Sequence, residues 1–344
     1  MITKKILSPA ASIIKLFIII LLLNSNTKAE DNNIKYYSDD MGTLALMYHR
    51  FDEPKYPSTN IQMNIFKEQI KIINKSNYKF YNPLEFKKDF YLPKKEKKIL
   101  ITIDDAFSSF YNNAWPFLKK NKIPFILFVS TKAIGEFGYM NWNQIREIEK
   151  EKFVYIGNHS HSHDFLVEFT KENFLNDINN SIEIFKNQLG YNPIFFSYPF
   201  GEYSEYIKDN VKKKFDLSFG QHSGVIDVNK NLFELPRFPI NEKYGDLERF
   251  KFLINLNPFQ FKNLVPQEKY LSDNTNPPFF SVEFFTNQNN IKNTKCFSNE
   301  GNKWMPSKIF IKKNILKIQF REKFFFRRGR INCSLNDNGL WRWF

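Results

Sequence analysis

Three of the five histidines in this 344-residue chain lie within one short segment, at His159, His161 and His163. His159 and His163 are four positions apart, and two imidazoles at that spacing can bind one metal ion where the backbone turns helically. A carboxylate from elsewhere in the chain commonly completes such a site. We therefore expect His159 and His163 to be metal ligands and His161 to point away. The alternative is a group of solvated surface histidines.

Two adjacent acids, Asp104 and Asp105, follow the apolar run 99–103. Neighbouring carboxylates repel each other, so a nearby cation is the simplest reason for both to be ionised in one place. One of them can bind a metal while the other stays free as a base. The alternative is a helix N-cap just before Ala106, because aspartate is also common at that position.

Both groups lie where predicted strands end, because short apolar runs alternate with helical patterns between residues 43 and 255. The predicted strands are 43–49, 99–105, 124–130, 153–157, 194–198 and 217–219, and the predicted helices are 64–74, 110–120, 142–151, 171–189, 205–214 and 246–255. This alternation is typical of a parallel sheet covered by helices. Six or more such units favour a (β/α) barrel, in which the site lies at the carboxyl ends of the strands.

Two segments, Thr102-Ile103-Asp104-Asp105 and His159-Ser160-x-x-His163, together resemble the paired motifs of the polysaccharide deacetylase family, the NodB-type carbohydrate esterases. Either motif alone is weak, whereas both in this order at strand ends are specific. The resemblance covers residues 42–255, and it implies a distorted (β/α) barrel of the polysaccharide deacetylase type. It also implies that Asp105, His159 and His163 hold one divalent metal ion, usually zinc, and that Asp104 is the general base.

The third motif of the family resembles the segment Ser197-Tyr198-Pro199-Phe200-Gly201. The resemblance implies that the Phe200 backbone N–H stabilises an oxyanion. Tyr198 is a candidate for stacking on a sugar ring of the substrate, and packing in the core is the alternative. The arginine that usually pairs with the base is replaced by Ser197 in this chain. Arg237, at another predicted strand end, is our candidate for the missing cation.

The late Leu-x-His motif of the family is absent near the end of the predicted barrel, but Leu46-Met47-Tyr48-His49 ends the first strand. This arrangement resembles the branch of the family that acts on biofilm-type poly-N-acetylglucosamine. The first and last strands of a closed barrel are neighbours, so either one can carry the histidine. We expect His49 to be the acid that protonates the leaving amine; the alternative is simple packing at a strand end.

The chain after the barrel has a different pattern. We expect residues 30–264 to form the barrel and residues 265–344 to form a small all-β domain, because short alternating runs without a helical period follow residue 279.

Cys296 and Cys333 are expected to form one disulfide in an oxidising compartment, with two free buried thiols as the alternative. The basic run 321–330 is expected to be a strand with a solvated face, and contact with an acidic glycan or a membrane surface is the alternative.

Residues 1–29 have the pattern of a secretory signal peptide: early lysines, the apolar core 16–23, and small residues before a cleavage site after Ala29. An uncleaved anchor is the alternative. Cleavage would remove four lysines and no acid, which lowers the formal charge from +14 to +10. The remaining basic residues are interleaved with acids rather than collected in a stripe, which argues against nucleic-acid binding.

These features predict an exported, metal-dependent hydrolase of the periplasm or cell envelope. The expected reaction removes N-acetyl groups from a polysaccharide, with Asp104 as base and His49 as acid. One alternative is a non-catalytic glycan-binding protein on a decayed barrel, since Ser197 occupies the arginine position. Another is a deacylase for O-acetyl esters. Envelope or membrane-surface association is possible on this pattern, and the sequence gives no oligomeric state.

Overall fold

The computed structural model describes residues 38–285 and 290–344. Its larger part is a parallel sheet in which the strand order is β10-β1-β5-β6-β7-β8-β9, with β4 beside β5. The strands of this part are β1 (Thr43–Tyr48), β2 (Arg50–Phe51), β3 (Asn60–Ile61), β4 (Lys79–Phe80), β5 (Lys98–Asp104), β6 (Phe125–Val129), β7 (Val154–Asn158), β8 (Phe195–Ser197), β9 (Leu217–Phe219) and β10 (Phe238–Pro239). Consecutive neighbours pair in parallel, so their carboxyl ends share one edge.

Seven helices accompany these strands and occupy most of the predicted helical segments. They are α1 (Met63–Lys75), α2 (Pro83–Lys88), α3 (Trp115–Asn121), α4 (Trp142–Glu149), α5 (Lys171–Leu189), α6 (Glu205–Val211) and α7 (Leu247–Ile254). The helix expected over 110–120 is instead a π-helical turn, Phe110–Ala114, followed by α3. Pro116 lies in the first turn of α3, where its missing N–H costs no intrahelical hydrogen bond.

The segment 235–239 lies between the last and first long strands of the sheet. Leu235 forms a parallel bridge with Phe219 of β9, and Phe238 of β10 pairs with Leu46 of β1. This segment therefore connects the two edges, as a (β/α) barrel requires. The predicted fold class is confirmed, although the short strand β10 was not among the predicted strands.

Alternate residues of the barrel strands face opposite sides, as the period of a strand requires. In β5, Ile99 and Ile101 belong to the large apolar cluster shared with the helices, whereas Leu100 belongs to a second cluster with Ile126 and Phe128. The strands are thus buried on both faces, which is why each reads as a continuous apolar run.

The C-terminal part contains two sheets over a shared apolar core. Its strands are β11 (Asn257–Pro258), β12 (Phe261–Val265), β13 (Phe280–Phe284), β14 (Lys295–Ser298), β15 (Met305–Pro306), β16 (Lys308–Lys312), β17 (Ile315–Gln319), β18 (Ile331–Asp337) and β19 (Leu340–Trp343). One sheet has the order β11-β19-β18-β14-β15 and the other β12-β13-β17-β16. The all-β character expected here is confirmed, and the boundary at residue 264 stays a prediction.

Cys296 of β14 and Cys333 of β18 are directly paired residues, and they form a disulfide. The alternative of two free thiols is therefore wrong. The basic run 321–330 is not the expected strand but an irregular loop between β17 and β18. Its consecutive phenylalanines have no period-2 alternation. Arg327 and Arg328 bond to the barrel, whereas Arg321 donates to the carbonyls of Ser298 and Pro306 in the C-terminal part. We call residues 321–330 the basic loop.

Side chains from both parts connect the barrel to the C-terminal sheets. The Arg342 guanidinium on β19 donates to the carbonyl of Pro258 at 3.1 Å and lies 3.3 Å from the Asp40 carboxylate. The Lys97 ammonium group donates to the Leu256 carbonyl and to Asn257 Oδ1, and Lys97 is only 5% exposed. Both parts thus share buried polar contacts as well as apolar packing.

The predicted signal peptide, residues 1–29, lies outside the described residues. Within residues 38–285 and 290–344, no helix has the length and apolar character needed to cross a membrane.

Candidate active site

Asp105, His159 and His163 meet at the carboxyl edge of the barrel. One ligand atom from each lies within 4.8 Å of the other two. The Asp105 Oδ1 atom is 3.4 Å from His159 Nε2 and 3.1 Å from His163 Nε2. Asp105 directly follows β5, and His159 directly follows β7. The structure thus brings together the three residues that the sequence suggested as metal ligands.

Two of the converging atoms are buried without a hydrogen-bond partner of suitable geometry among the described residues: Asp105 Oδ1 and His159 Nε2. An unpartnered buried carboxylate oxygen and imidazole nitrogen are costly unless something else binds them. Two imidazoles and one carboxylate are also a common ligand set for catalytic zinc. The three residues therefore fit a divalent metal ion.

The tautomer of His159 suits this function. Its Nδ1 atom lies 2.7 Å from the Ser197 carbonyl oxygen and, as the N–H donor, leaves Nε2 as a lone-pair ligand directed at Asp105. Burial raises the pKa of Asp105, but the imidazoles of His159 and His163 outweigh burial and hold that pKa well below its ordinary value. The carboxylate is thus kept ionised.

Residues 158–163, which we call the metal-ligand loop, are held in place by hydrogen bonds that the sequence analysis did not predict. Asp177, on the buried face of α5, accepts the backbone N–H groups of His161 and Ser162, both at 2.9 Å. The side chain of Asn158 accepts the Ser160 N–H at 2.8 Å, and Ser160 Oγ accepts the His163 N–H at 3.0 Å. A signal was present, because Asp177 interrupts the apolar face of an otherwise clear amphipathic helix.

His161 lies between the two ligands and does not join them. Its Nδ1 atom is 2.9 Å from Thr131 Oγ1, and its carbonyl accepts a hydrogen bond from Ser130. Its side chain contacts the turn after β6. This contact agrees with the expectation that His161 points away from the metal ligands.

Asp104 is fully buried beside the three converging residues and is paired with Arg237. The Arg237 Nη1 atom donates to Asp104 Oδ1 at 2.7 Å, and Nη2 donates to Oδ2 at 2.8 Å. Burial raises the pKa of Asp104, but the Arg237 guanidinium outweighs it and holds the pKa below its ordinary value. Asp104 is thus an ionised carboxylate at neutral pH.

Arg237 is itself 0% exposed and lies behind Asp104, away from the cavity. Its guanidinium also donates to the Gly220 carbonyl at 2.9 Å and to Ser197 Oγ at 2.8 Å. The small Ser197 side chain leaves room for a cation that comes from the start of β10. The guanidinium reaches Asp104 from a different strand, and it is not among the residues that line the cavity, so the expectation that Arg237 also lies at the substrate or oxyanion is not supported.

His49 follows β1 and lines the same cavity as Asp105 and His163. Burial lowers the pKa of His49, and the charges of Asp105 and Asp104 oppose that effect without reversing it. A pKa below the ordinary value makes the imidazolium a stronger proton donor. The structure therefore brings His49 to the cavity that contains the candidate ligands.

Phe200 adopts the left-handed conformation, with φ 57°. Its ring lies 4.8 Å from the His163 ring and is stacked on Phe165 at 4.1 Å. The residue lines the cavity. In contrast, the Tyr198 side chain is fully buried, and its hydroxyl donates to the Phe233 carbonyl at 3.0 Å. The structure brings Phe200 to the site and leaves the Tyr198 ring in the core.

A cavity of about 1360 Å³ opens from these residues. It starts at His49, Asp105 and His163 and continues between the barrel and the C-terminal sheets as far as Trp304 and the basic loop. Typical small-molecule pockets have volumes of about 300–1,000 Å³, so this cavity has room for an extended ligand.

Residues 92–218 match the family model described as polysaccharide deacetylase. The poly-beta-1,6-N-acetyl-D-glucosamine N-deacetylase of Staphylococcus aureus strain MSSA476 is 25% identical over 245 residues, which cover 62% of this chain and 83% of that protein.

Two solved structures have a similar fold. IcaB from Ammonifex degensii has a TM-score of 0.57 at 24% identity and covers 63% of this chain and 98% of its own. The Streptococcus pyogenes deacetylase PplD, solved in complex with acetate, has a TM-score of 0.57 at 21% identity and covers 62% of this chain and 99% of its own. The barrel carries both motifs at its carboxyl edge, and the matched region, residues 92–218, is similar to the polysaccharide deacetylase domain of known hydrolases.

Proposed function

We propose that this protein removes N-acetyl groups from an N-acetylglucosamine polysaccharide outside the cytoplasm, with one divalent metal ion, zinc, as cofactor. One observation carries the proposal. The unpartnered ligand atoms of Asp105 and His159 converge with His163, next to an ionised Asp104, at the end of an open cavity. This is the arrangement that metal-assisted amide hydrolysis needs.

Asp105, His159 and His163 would hold the metal. A divalent ion at this position supplies Lewis acidity, which acidifies a water molecule and polarises the amide carbonyl. The hydrogen bond from His159 Nδ1 to Ser197 and the contacts of Asp177 with the loop orient the ligands.

Asp104 would accept the proton of the attacking water as the new C–O bond forms. Arg237 keeps this carboxylate ionised and fixes its orientation through two hydrogen bonds. The backbone N–H of Phe200 would donate to the oxyanion. His49 would give its proton to the nitrogen as the C–N bond breaks, so that acetate and an amino sugar leave.

The choice of substrate rests on the relatives. The Staphylococcus aureus relative is named as a deacetylase of poly-beta-1,6-N-acetyl-D-glucosamine. The histidine placed after the first strand supports the same branch of the family. We therefore propose a β-1,6-linked N-acetylglucosamine polymer as the substrate, and no nucleic acid as a partner.

The alternative hypothesis, a non-catalytic glycan-binding protein on a decayed barrel, depended on the presence of Ser197 where the family usually has an arginine. The bidentate contact between Arg237 and Asp104 removes that reason, because the base position has its cation from another strand. Hydrolysis of O-acetyl esters needs the same metal and base, so rates on ester and amide substrates must be compared side by side.

The proposed location is the periplasm or cell envelope. The signal-peptide pattern of residues 1–29 supports export. The disulfide between Cys296 and Cys333 supports the same conclusion, because such bonds persist mainly in oxidising compartments.

The test is to measure metal content and acetate release together, on the purified protein and on the Asp105→Asn and Asp104→Asn variants. We expect one metal per chain and acetate from a β-1,6-linked N-acetylglucosamine oligomer. Asp105→Asn should lose both, whereas Asp104→Asn should keep the metal and lose acetate release. A protein that binds no metal and releases no acetate from amide or ester glycans would contradict the proposal.

A further inference from the structure

The cavity extends well beyond the atoms that the reaction needs. One part of its wall is formed by the basic loop, including Phe326, Arg328 and Arg330, and by Trp304 of the C-terminal sheets. The family model ends at residue 218, so this wall lies outside the matched region. One sugar unit at the metal site would leave that part of the cavity unfilled.

The basic loop is bonded to the barrel at the two turns that flank His163. The Arg327 guanidinium lies 3.6 Å over the ring of Phe165 and forms paired hydrogen bonds with the Glu202 carboxylate at 3.0 and 2.8 Å. Arg328 Nη1 donates to the Phe200 carbonyl at 3.0 Å. The C-terminal sheets therefore contribute to the same cavity as the metal ligands.

The wall combines aromatic rings with cationic donors. Phe326 is 55% exposed and Trp304 is 48% exposed, and both line the cavity. Exposed rings of this kind offer flat apolar faces to the C–H faces of sugars, and guanidinium groups donate to hydroxyl and carbonyl oxygens. A hydrated sugar chain has both kinds of surface.

The charge of the wall is positive. Glu202 and Glu168 neutralise Arg327, whereas no carboxylate among the described residues lies within ion-pair distance of Arg330. Arg328 has Glu202 at 3.8 Å, an acid that it shares with Arg327. A positive wall attracts anionic groups and repels an ammonium group, and its guanidinium N–H groups donate to the oxygens of uncharged sugars. Deacetylation produces a cationic amino sugar, so the wall distinguishes unreacted from reacted units.

We propose that the basic loop and Trp304 form a subsite for the N-acetylated sugar units next to the one being hydrolysed, and that its arginines disfavour neighbours that have already lost their acetyl groups. This proposal rests on the proposed function and names the part of the polymer that the C-terminal region binds.

The test compares two adjacent phenylalanines and two basic residues of the loop. Phe326 lines the cavity, whereas Phe325 is 65% exposed and does not. Likewise Arg330 lines the cavity and Lys323 does not. The variants are therefore Phe326→Ala with Phe325→Ala as control, and Arg330→Gln with Lys323→Gln as control. The probes are β-1,6-linked N-acetylglucosamine dimer and hexamer, and the fully de-N-acetylated hexamer.

We expect Phe326→Ala to lower kcat/KM for the hexamer by about 2–12-fold, which corresponds to one aromatic contact of about 0.5–1.5 kcal/mol. The decrease should be smaller for the dimer. Phe325→Ala should change neither. Arg330→Gln should reduce the preference for the acetylated over the de-N-acetylated hexamer, measured by binding to Asp104→Asn protein, and Lys323→Gln should keep it.

The binding assay separates this proposal from the proposed function. Phe326-dependent binding of the acetylated hexamer by a protein that releases no acetate would leave the subsite standing and overturn the deacetylase. Acetate release that is equal for dimer and hexamer, with the same rates in Phe326→Ala and Phe325→Ala, would overturn the subsite alone. An unchanged preference in Arg330→Gln would overturn the charge selection.

Discussion

The contact between Asp104 and Arg237 is a buried bidentate ion pair next to the candidate site. Both side chains are 0% exposed, and two charge-assisted hydrogen bonds join them. Breaking a buried pair leaves one charge uncompensated, at a cost of about 3–5 kcal/mol. The pair therefore couples the stability of the barrel to the ionisation of the proposed base.

We predict that Arg237→Gln lowers the melting temperature and reduces kcat/KM for acetate release more than tenfold while metal binding persists. The physical reason is that Asp104 keeps its burial but loses the cation that holds it ionised. Thermal unfolding, metal content and steady-state kinetics on one preparation check this. Wild-type kinetics in Arg237→Gln would contradict it.

A double variant supplies the control for this prediction. Asp104→Asn combined with Arg237→Gln removes both charges, so it should be more stable than Arg237→Gln alone. It should also remain inactive, because the base is gone. Ser197→Arg combined with Arg237→Ser, which returns the cation to the usual family position, should recover part of the activity.

At the residue scale, many candidate site residues could be predicted because each motif lies at the end of a strand. The residue types indicate the chemistry, and the strand end indicates the edge of the barrel where they lie. His49, Asp105 and His163 line one cavity, and the buried His159 converges with Asp105 and His163. Tyr198 differs because its position two residues from Phe200 says nothing about which way its ring turns. Apolar partners, including Phe196 and Tyr203, surround that ring and hold it in the core.

Helix α5 determines the shape of the metal-ligand loop at the scale of elements. The Asp177 carboxylate is 6% exposed and accepts two consecutive backbone N–H groups of that loop. Since the loop contains residues with positive φ, at Ser160 and His163, it needs such external support. The helix thus acts on the metal site without touching the metal.

We predict that Asp177→Ala weakens metal affinity about 10–100-fold, the usual range for losing a residue that orients ligands. A competition titration with a chelating dye measures this directly. Glu183→Ala is the matched control, because Glu183 is an exposed acid on the same helix, and it should keep wild-type affinity. Equal affinities of the two variants would show that the loop holds its shape without α5.

Long elements were predictable and short ones were not. The bounds of α5 agree with the periodicity of residues 171–189, because a long amphipathic helix repeats its signal many times. Strand β10 has two residues and carries no pattern, yet it delivers Arg237. The basic loop was predicted to be a strand because local composition carries no information about its hydrogen bonds to Glu202 and Phe200.

Lys97, the residue just before β5, leads to a prediction about the pH dependence of stability. Burial, followed by the charge of Arg342, lowers the pKa of Lys97 from 10.5 to about 7. Below pH 7 both folded and unfolded chains hold the proton, and the cost of burying the ammonium is fully present. Between pH 7 and 10.5 the folded chain has lost the proton that the unfolded chain keeps, so that cost declines as pH rises.

We therefore predict that the wild-type protein gains thermal stability relative to Lys97→Met as the pH rises from about 7 to 9. The difference in melting temperature, followed by circular dichroism at each pH, is the measurement. Lys88→Met, at an exposed position of α2, should follow wild type at every pH. A pH-independent difference for Lys97→Met would mean that Lys97 titrates alike in the folded and unfolded chains.

At the scale of the whole molecule, the barrel and the C-terminal sheets form one cavity. The barrel supplies the reacting groups, and the basic loop closes the side near Phe200. The change of sequence pattern after the barrel indicated a second region, residues 265–344. It did not indicate that this region faces the site, because the contacts between them join residues more than a hundred positions apart. The disulfide encloses this loop, because Cys296 and Cys333 lie on either side of it.

This enclosure leads to a prediction for the Cys296→Ser, Cys333→Ser double variant. The bond closes a sequence separation of 37 residues, and the chain-entropy model assigns such a loop about 4 kcal/mol. We expect lower stability of the C-terminal sheets, normal metal content, and a larger loss of activity on the hexamer than on the dimer. Reducing agent should lower hexamer activity of the wild type and leave the double variant unchanged. The metal ligands lie on the barrel. If metal were lost along with hexamer activity, the C-terminal sheets would support the barrel itself, and not only the part of the cavity wall that the basic loop forms.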